Sequence, residues 1–345
     1  MSKKAVQQLG LQFDDNHLVP LLFGEHGVHL ARIEEVLEVQ IHSKGNEVVI
    51  AGAHKQIQHA RQVLEALWER ISDDLEVGLD EVDAAIRIVD KSLDPEARKM
   101  ARAAFRDPTL KVQKKPSDGQ GKSKTYKLSP RTPAQAAYLD AMEKHRMVFG
   151  VGPAGTGKTY LAVAFAATLL LKGDVERIIL SRPAVEAGEN LGFLPGDLKE
   201  KVDPYLRPLY DALHDMMPPE QIVQRLSRGD IEVAPLAFMR GRTLAKACVV
   251  LDEAQNTTPA QMKMILTRLG EGSHMIITGD PTQTDLPHRS KSGLDDAMRV
   301  LADVNEIKYI RFTEDDVVRD PLVAKIVKAY DWNDKAKAKA EAEDD

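Results

Sequence analysis

The stretch Gly152-Pro153-Ala154-Gly155-Thr156-Gly157-Lys158-Thr159, GPAGTGKT, fills every position of the pattern GxxxxGK[ST]. Before it comes RMVFGV (146–151), a short apolar run of strand type, and after it YLAVAFAATLLL (160–171), an Ala/Leu-rich run of helix length that stops at Gly173. A glycine-rich turn between strand and helix lets backbone N–H groups wrap around phosphates, because no side chains intervene and positive φ is accessible. In that frame Lys158 brings charge to the β- and γ-phosphates, Thr159 offers its hydroxyl to Mg²⁺, and the helix N-terminus adds its dipole. The expected fold class is therefore α/β, with nucleotide held by Gly152, Pro153, Ala154, Gly155, Thr156, Gly157, Lys158 and Thr159.

Further along, the apolar run CVVL (248–251) leads into Asp252-Glu253-Ala254-Gln255-Asn256. A buried strand ending in Asp supplies the carboxylate that holds Mg²⁺ through water, and the adjacent Glu is placed to polarise an attacking water. Glu253 thus favours hydrolysis over phosphate transfer to a small molecule, although a small-molecule P-loop kinase stays open as the least favoured alternative. A third apolar strand ends in Gly279-Asp280-Pro281-Thr282-Gln283. Gln283 is expected beside Asp252 and in reach of the γ-phosphate, since ligands of open α/β sheets sit beyond the carboxyl ends of the strands. Upstream, Gln135 in TPAQ can donate to and accept from an adenine edge, which selects ATP over GTP.

The bulk properties fit such a protein. A chain of 345 residues has room for two or three compact units. With 43% hydrophobic and 29% charged residues it reads as a soluble protein, and it contains no apolar run of the roughly 20 residues a membrane span needs. The start, MSKKAVQQLG, has no apolar segment and no small-residue cleavage site, so a cytoplasmic address is expected. Cys248 is the only cysteine and sits in an apolar strand pattern, which excludes an internal disulfide and reads as buried filler. His145, His214 and His288 lack metal-ligand spacing. A net charge of −6 offers no global attraction to polyanions, so any nucleic-acid contact must be local.

The chain divides into an N-terminal unit at 1–75, a helical connector at 76–107, a basic flexible linker at 108–130, the nucleotide-binding unit at 131–330 and a charged, disordered tail at 331–345. From Lys111 to Arg131 there are seven basic residues against the single acid Asp118, interspersed with Gly, Pro and Ser. Between residues 9 and 71 the periodicities run strand, helix, helix, strand, strand, helix, with Gly24-Glu25-His26-Gly27 between the first two helices. That order resembles a K-homology (KH) domain, an α+β fold whose GxxG loop clamps single-stranded RNA, with Gly24 and Gly27 as the loop glycines. Use of such a fold as a protein-docking module is equally open.

TPAQ, GPAGTGKT, LDEAQN and TGDPTQ together resemble the ordered motifs of superfamily 1 helicases, which implies a RecA-like, mostly parallel sheet. SRPAVEAGENLGFLPGDLKEKVDPYLRPLYD (181–211), IEVAPLAFMRGRTL (231–244) and DVVRDPLV (316–323) narrow the likeness to the bacterial PhoH-like family of cytosolic ATPases, over about residues 125 to 330. The resemblance implies ATP binding and hydrolysis with Mg²⁺, association with RNA, and assembly into a homo-oligomeric ring such as a hexamer. It also links the chain to phosphate-starvation responses and to a metal-dependent endoribonuclease of ribosomal RNA maturation. Gln135, the P-loop, Asp252, Glu253, Gln255 and Gln283 match the family's site positions.

Residues 131–330 have room for only one RecA-like core, whereas superfamily 1 motors use two. Either a neighbouring subunit completes the site, or ATP switches an adaptor that docks an endoribonuclease without unwinding. In the first case an arginine must reach a neighbour's γ-phosphate. Arg240, Arg242 and Arg319 are the candidates, each equally suited to a surface ion pair. Arg182, in LSRP, falls where the helicase likeness puts nucleic acid, and a salt bridge there is as open.

Overall fold

The computed structural model describes residues 7–90, 95–108, 110–114, 124–183, 198–287 and 291–318. Arg319, His288, the whole of GENLGFLPGD (188–197) and the tail at 331–345 lie outside the described residues.

The N-terminal elements follow the expected order: β1 (Gln7–Gln12), α1 (Val19–Phe23), α2 (Val28–Leu37), β2 (Gln40–Lys44), β3 (Glu47–Gly52) and α3 (His54–Ser72). They form an antiparallel sheet of order β1-β3-β2, with Leu9 opposite Ile50 and Ile41 opposite Ile50 on the other side. Val48 and Ile50 point inward two residues apart, as the pleat requires, onto the apolar face of α3 formed by Ile57, Ala60, Val63, Leu64, Leu67 and Ile71.

Two further helices, α4 (Leu79–Ile88) and α5 (Pro95–Arg106), add Val82, Ile86, Ala101 and Phe105 to the same core, which also takes in Ala136. The segment read as a connector is thus packed on its neighbour. Arg70 helps join the layers: it is 3% exposed, donates to the carbonyls of Glu76 and Phe105 and to the Ser129 hydroxyl, and lies over the Phe105 ring. Its buried charge is tolerated because these acceptors replace water.

One sequence expectation is corrected between the two units. Within the stretch read as a flexible linker, β4 (Leu110–Lys114) and β5 (Lys124–Leu128) pair antiparallel, with Val112 opposite Tyr126. The Lys and Pro content hid two short runs, LKVQK and KTYKL, whose alternation suits a ladder.

The nucleotide-binding unit is built on six parallel strands, ordered β11-β6-β10-β9-β7-β8. Their ranges are β6 (Met147–Val151), β7 (Arg177–Arg182), β8 (Ile231–Pro235), β9 (Ala247–Leu251), β10 (His274–Gly279) and β11 (Ile307–Arg311). Strands β6 and β9 are buried along their whole length, as parallel strands covered on both faces must be. The helices are α6 (Pro133–Lys144), α7 (Lys158–Lys172), α8 (Leu198–Met216), α9 (Pro219–Arg228), α10 (Pro259–Leu266) and α11 (Gly293–Val300). Helix α7 is apolar almost all round because it is buried all round, from Leu161 to Leu170. Cys248 is fully buried and burial pushes its thiol up, consistent with filler. Among the described residues no helix is long and apolar enough to cross a membrane.

This strand order fixes the site. Strand β10 lies between β6 and β9, and β9 lies between β10 and β7. The loops leaving the carboxyl ends of β6, β7, β9 and β10 therefore converge.

Candidate functional site

Where β6 ends, Gly152 adopts φ 144° and its N–H donates to the Gly279 carbonyl at 3.1 Å. A Cβ there would collide with the Phe312 carbonyl, so glycine is required by close approach as well as by φ. At the far end of the loop Gly157 caps α7 in the left-handed region, φ 83°, which leaves the first N–H groups of a 15-residue helix facing the turn. The Val318 N–H donates to the Gly155 carbonyl, bringing a distant part of the chain against the loop.

Lys158 and Thr159 open α7. The Lys158 ammonium donates to the carbonyls of Gly152 and Pro153 at 2.6 and 2.7 Å. It is thereby held beneath the turn, where phosphate oxygens can take over as acceptors. Thr159 donates its hydroxyl to Asp252 Oδ1 at 2.6 Å, joining the P-loop directly to the end of β9.

Asp252 and Glu253 are adjacent but differently housed. Asp252 is 2% exposed and accepts from Thr159, Thr278 and Arg182. Glu253 sits in the left-handed region, φ 54° and ψ 40°, a conformation that costs a non-glycine residue about 1–3 kcal/mol and marks functional positions. The reversal brings its carboxylate out, with 44% of the side chain exposed. A buried acid and a solvent-facing acid thus stand side by side.

Gln255 is 2% exposed and serves as a clasp. Its Nε2 donates to Glu253 Oε2 at 2.6 Å and to the Gln283 carbonyl at 3.3 Å, while its Oε1 accepts from the Asp280 N–H at 3.1 Å. Asn256 and Asp285 add a second pair of bonds between the same two loops. Gln283 is exposed at the rim and donates to Asp280 Oδ2 at 2.9 Å.

Ala154, Gly155, Gly157, Lys158, Thr159, Tyr160, Asp252, Glu253, Gly279, Asp280 and Gln283 line one cleft of about 260 Å³. Thr159 and Asp252 offer hard oxygen donors side by side, the type Mg²⁺ takes when nucleotide phosphates and water supply the rest of its shell. Among the described residues no group of three or more His, Cys, Asp or Glu suited to a metal occurs.

Gln135 lies against the P-loop. Its Nε2 donates to the Thr156 carbonyl at 3.0 Å and its Oε1 accepts from the Arg131 N–H at 2.7 Å. One N–H and one lone pair of the amide remain for a base edge.

Two of the candidate arginines stand in ion pairs, the alternative left open for each. Arg182, read as a nucleic-acid contact, is turned inward, donating through Nε to Asp252 Oδ2 at 2.8 Å. Arg242, a candidate for reaching a neighbouring subunit, makes a two-pronged ion pair with Glu232 at 2.6 and 2.7 Å, and that bond holds its guanidinium protonated beyond its ordinary range. Arg240 is exposed.

In the N-terminal unit, Gly24 and Gly27 have φ 74° and 77° and bracket a single tight turn with Glu25 and His26 exposed. Sequence reasoning missed Thr278 and Tyr160. A hydroxyl one residue before the end of an otherwise apolar strand was the available signal for Thr278, and nothing in the pattern marked Tyr160.

A model of the family described as PhoH-like protein matches residues 127–331. The chain belongs to the PhoH-like protein family. It is 48% identical to a PhoH-like protein of Bacillus subtilis over 310 residues, 90% of this chain and 93% of that one. It is 48% identical to a PhoH-like protein of Mycobacterium tuberculosis over 318 residues, 91% and 85% of the two chains. With Protein PhoH of Escherichia coli K12 it shares 47% over 208 residues, 60% and 59% of the chains. Among solved structures it is similar to a SWI2/SNF2 ATPase core of Sulfolobus solfataricus in complex with dsDNA, at TM-score 0.29 and 17% identity over 44% of this chain and 32% of that one, a likeness too slight to build on. Family and site geometry together make this PhoH-family protein a P-loop protein of ATPase type.

Proposed function

We propose that this PhoH-family protein hydrolyses ATP with Mg²⁺ and spends the cycle on RNA or on an RNA-processing partner, working as a helicase-like ring. The observation that carries the reading is the Gln255 clasp: the amide that touches Glu253 also holds the backbone of the loop after β10, at Asp280 and Gln283. A change at the terminal phosphate is thereby felt in a second loop that leads toward the protein surface.

In this reading the P-loop N–H groups and Lys158 hold the β- and γ-phosphates, and Gln135 offers its remaining donor and acceptor to adenine. Thr159, and through water Asp252, would hold Mg²⁺, which would supply positive charge to the phosphates. Glu253, partly solvated and fixed by Gln255, orients the attacking water and takes its proton. Gln283, at the rim, faces the γ-phosphate side. An arginine from a neighbouring subunit would complete the site, with Arg240 and Arg319 the remaining candidates once Arg242 is spent on Glu232. The N-terminal unit and its Gly24–Gly27 turn would guide single-stranded RNA.

Steady-state ATPase with and without single-stranded and structured RNA, run beside a mass measurement with and without ATP, tests this. RNA-stimulated hydrolysis by an assembled ring is expected. Hydrolysis indifferent to RNA but altered by an endoribonuclease partner would favour an ATP-controlled adaptor, a reading motivated by the one six-stranded core among the described residues. Phosphate appearing on a metabolite would overturn both.

A further inference from the structure

Asp252 is the acid that the proposed function assigns to Mg²⁺, yet every acceptor position of its carboxylate is taken by protein. Oδ1 accepts from the hydroxyls of Thr159 and Thr278. Oδ2 accepts two N–H groups of one guanidinium, Nε at 2.8 Å and Nη2 at 2.5 Å, both from Arg182. A carboxylate has about four lone-pair sites, so a metal-bound water that must donate to Asp252 finds none open. The hydroxyl pair on Oδ1 is compatible with a metal, since Thr159 is itself the expected ligand. The guanidinium on Oδ2 is not, because its two N–H groups fill that oxygen's lone pairs and its positive charge already neutralises the carboxylate.

We propose that Arg182 and Mg²⁺ compete for Asp252, so that Arg182 is a positioning residue that keeps the acid occupied until metal-nucleotide displaces it. The inference rests on the reading of the cleft as a Mg²⁺-nucleotide site. Two features make the exchange physically reasonable. Asp252 is 2% exposed and a buried, unpaired carboxylate is costly, so a resident cation stabilises the metal-free protein. Glu253 Oε1 lies 3.7 Å from Arg182 Nη2, which gives the displaced guanidinium a neighbouring, more solvated carboxylate to move toward. Arg182 ends β7, the strand hydrogen-bonded to β9, so the swap needs a side-chain rotation without movement of the sheet. It also means that metal entry carries Arg182 from the buried acid toward the catalytic one, tying the charge around Glu253 to the metal state.

The test is Mn²⁺ binding followed by electron paramagnetic resonance on the full chain with saturating ADP, beside calorimetric ADP binding in EDTA. Arg182→Gln is expected to tighten Mn²⁺ binding about tenfold, the factor for a site that its own arginine occupies about nine-tenths of the time. Its ADP affinity in EDTA stays at the wild-type value, and its melting temperature falls in EDTA but recovers with Mn²⁺ and ADP. Arg182→Lys keeps the charge but loses the two-pronged fork, and is expected to tighten Mn²⁺ binding less. Should Arg182→Gln fail to fold, the lysine variant alone decides. Unchanged or weakened Mn²⁺ binding in the folded variant overturns the competition. Failure of the wild-type chain to bind ADP with or without metal would instead overturn the site reading itself.

Discussion

Two glycine-containing turns have opposite settings. GEHG, at 24–27, and GPAGTGKT, at 152–159, both contain glycines at positive φ. The P-loop is fastened from outside by Gly279, Val318 and Gln135, opens a 15-residue helix, and has Lys158 beneath it and a buried acid beside it. Among the described residues GEHG is tied to its immediate surroundings, through Gly24 to Pro20 and Gly27 to Gly24, and its central side chains are Glu25 and His26. His29 packs directly beneath, its Nδ1 3.1 Å from the Leu22 carbonyl. Glycine content therefore says little by itself; what separates a phosphate site from a turn is the charge and the fixed acceptors around it.

The sharpest break of this comparison is Lys158→Ala. Without that ammonium, ATP hydrolysis should fall at least about 10²- to 10³-fold, as when one electrostatic stabiliser is removed, measured by steady-state phosphate release. Gly24→Ala should leave hydrolysis unchanged in the same assay; a comparable loss there would erase the distinction between the turns.

Glu253→Gln should lower hydrolysis by roughly 10²- to 10⁴-fold, the usual range for a lost general base, while calorimetry shows ADP binding retained. Loss of binding together with turnover would make Glu253 a structural acid.

Gln255→Ala should cost stability as well as rate. It leaves the buried Asp280 N–H without its acceptor, worth about 1–3 kcal/mol in denaturant unfolding. Any RNA stimulation of hydrolysis should disappear in this variant, and stimulation that survives would remove the clasp from the coupling route.

At Gly24 the added methyl meets the His29 ring at 2.8 Å in a φ of +74°. A destabilisation of at least about 1–2 kcal/mol is expected from the backbone alone.

The smallest effect should come from Arg242→Ala, which breaks a half-exposed pair with Glu232. Stability should change by about 0–1 kcal/mol and hydrolysis hardly at all. A large loss of hydrolysis confined to the assembled protein would return Arg242 to the candidates for a shared site.

Much of this was legible along the chain. GPAGTGKT is contiguous, and its strand-before, helix-after setting is local, so spacing alone placed Lys158 and Thr159. The apolar run into Asp252-Glu253 was equally readable, since a buried parallel strand announces its end by the first charged residue. The strand pair at 110–114 and 124–128 was missed because lysines mask a weak alternation. For Arg182 and Arg242 the sequence left an ion pair open beside the other role, because an arginine's partner is set by what lies next to it in space, Asp252 standing 70 residues from Arg182 and Glu232 ten from Arg242.

By itself the sequence determined that this is a P-loop protein with two acids at a strand end, because those features depend on neighbours along the chain. Only the tertiary structure decided what the acids touch. Placing β9 between β10 and β7 brings Thr278 to one side of Asp252 and Arg182 to the other, and a strand order is a property of which apolar faces pack together, which no local motif encodes.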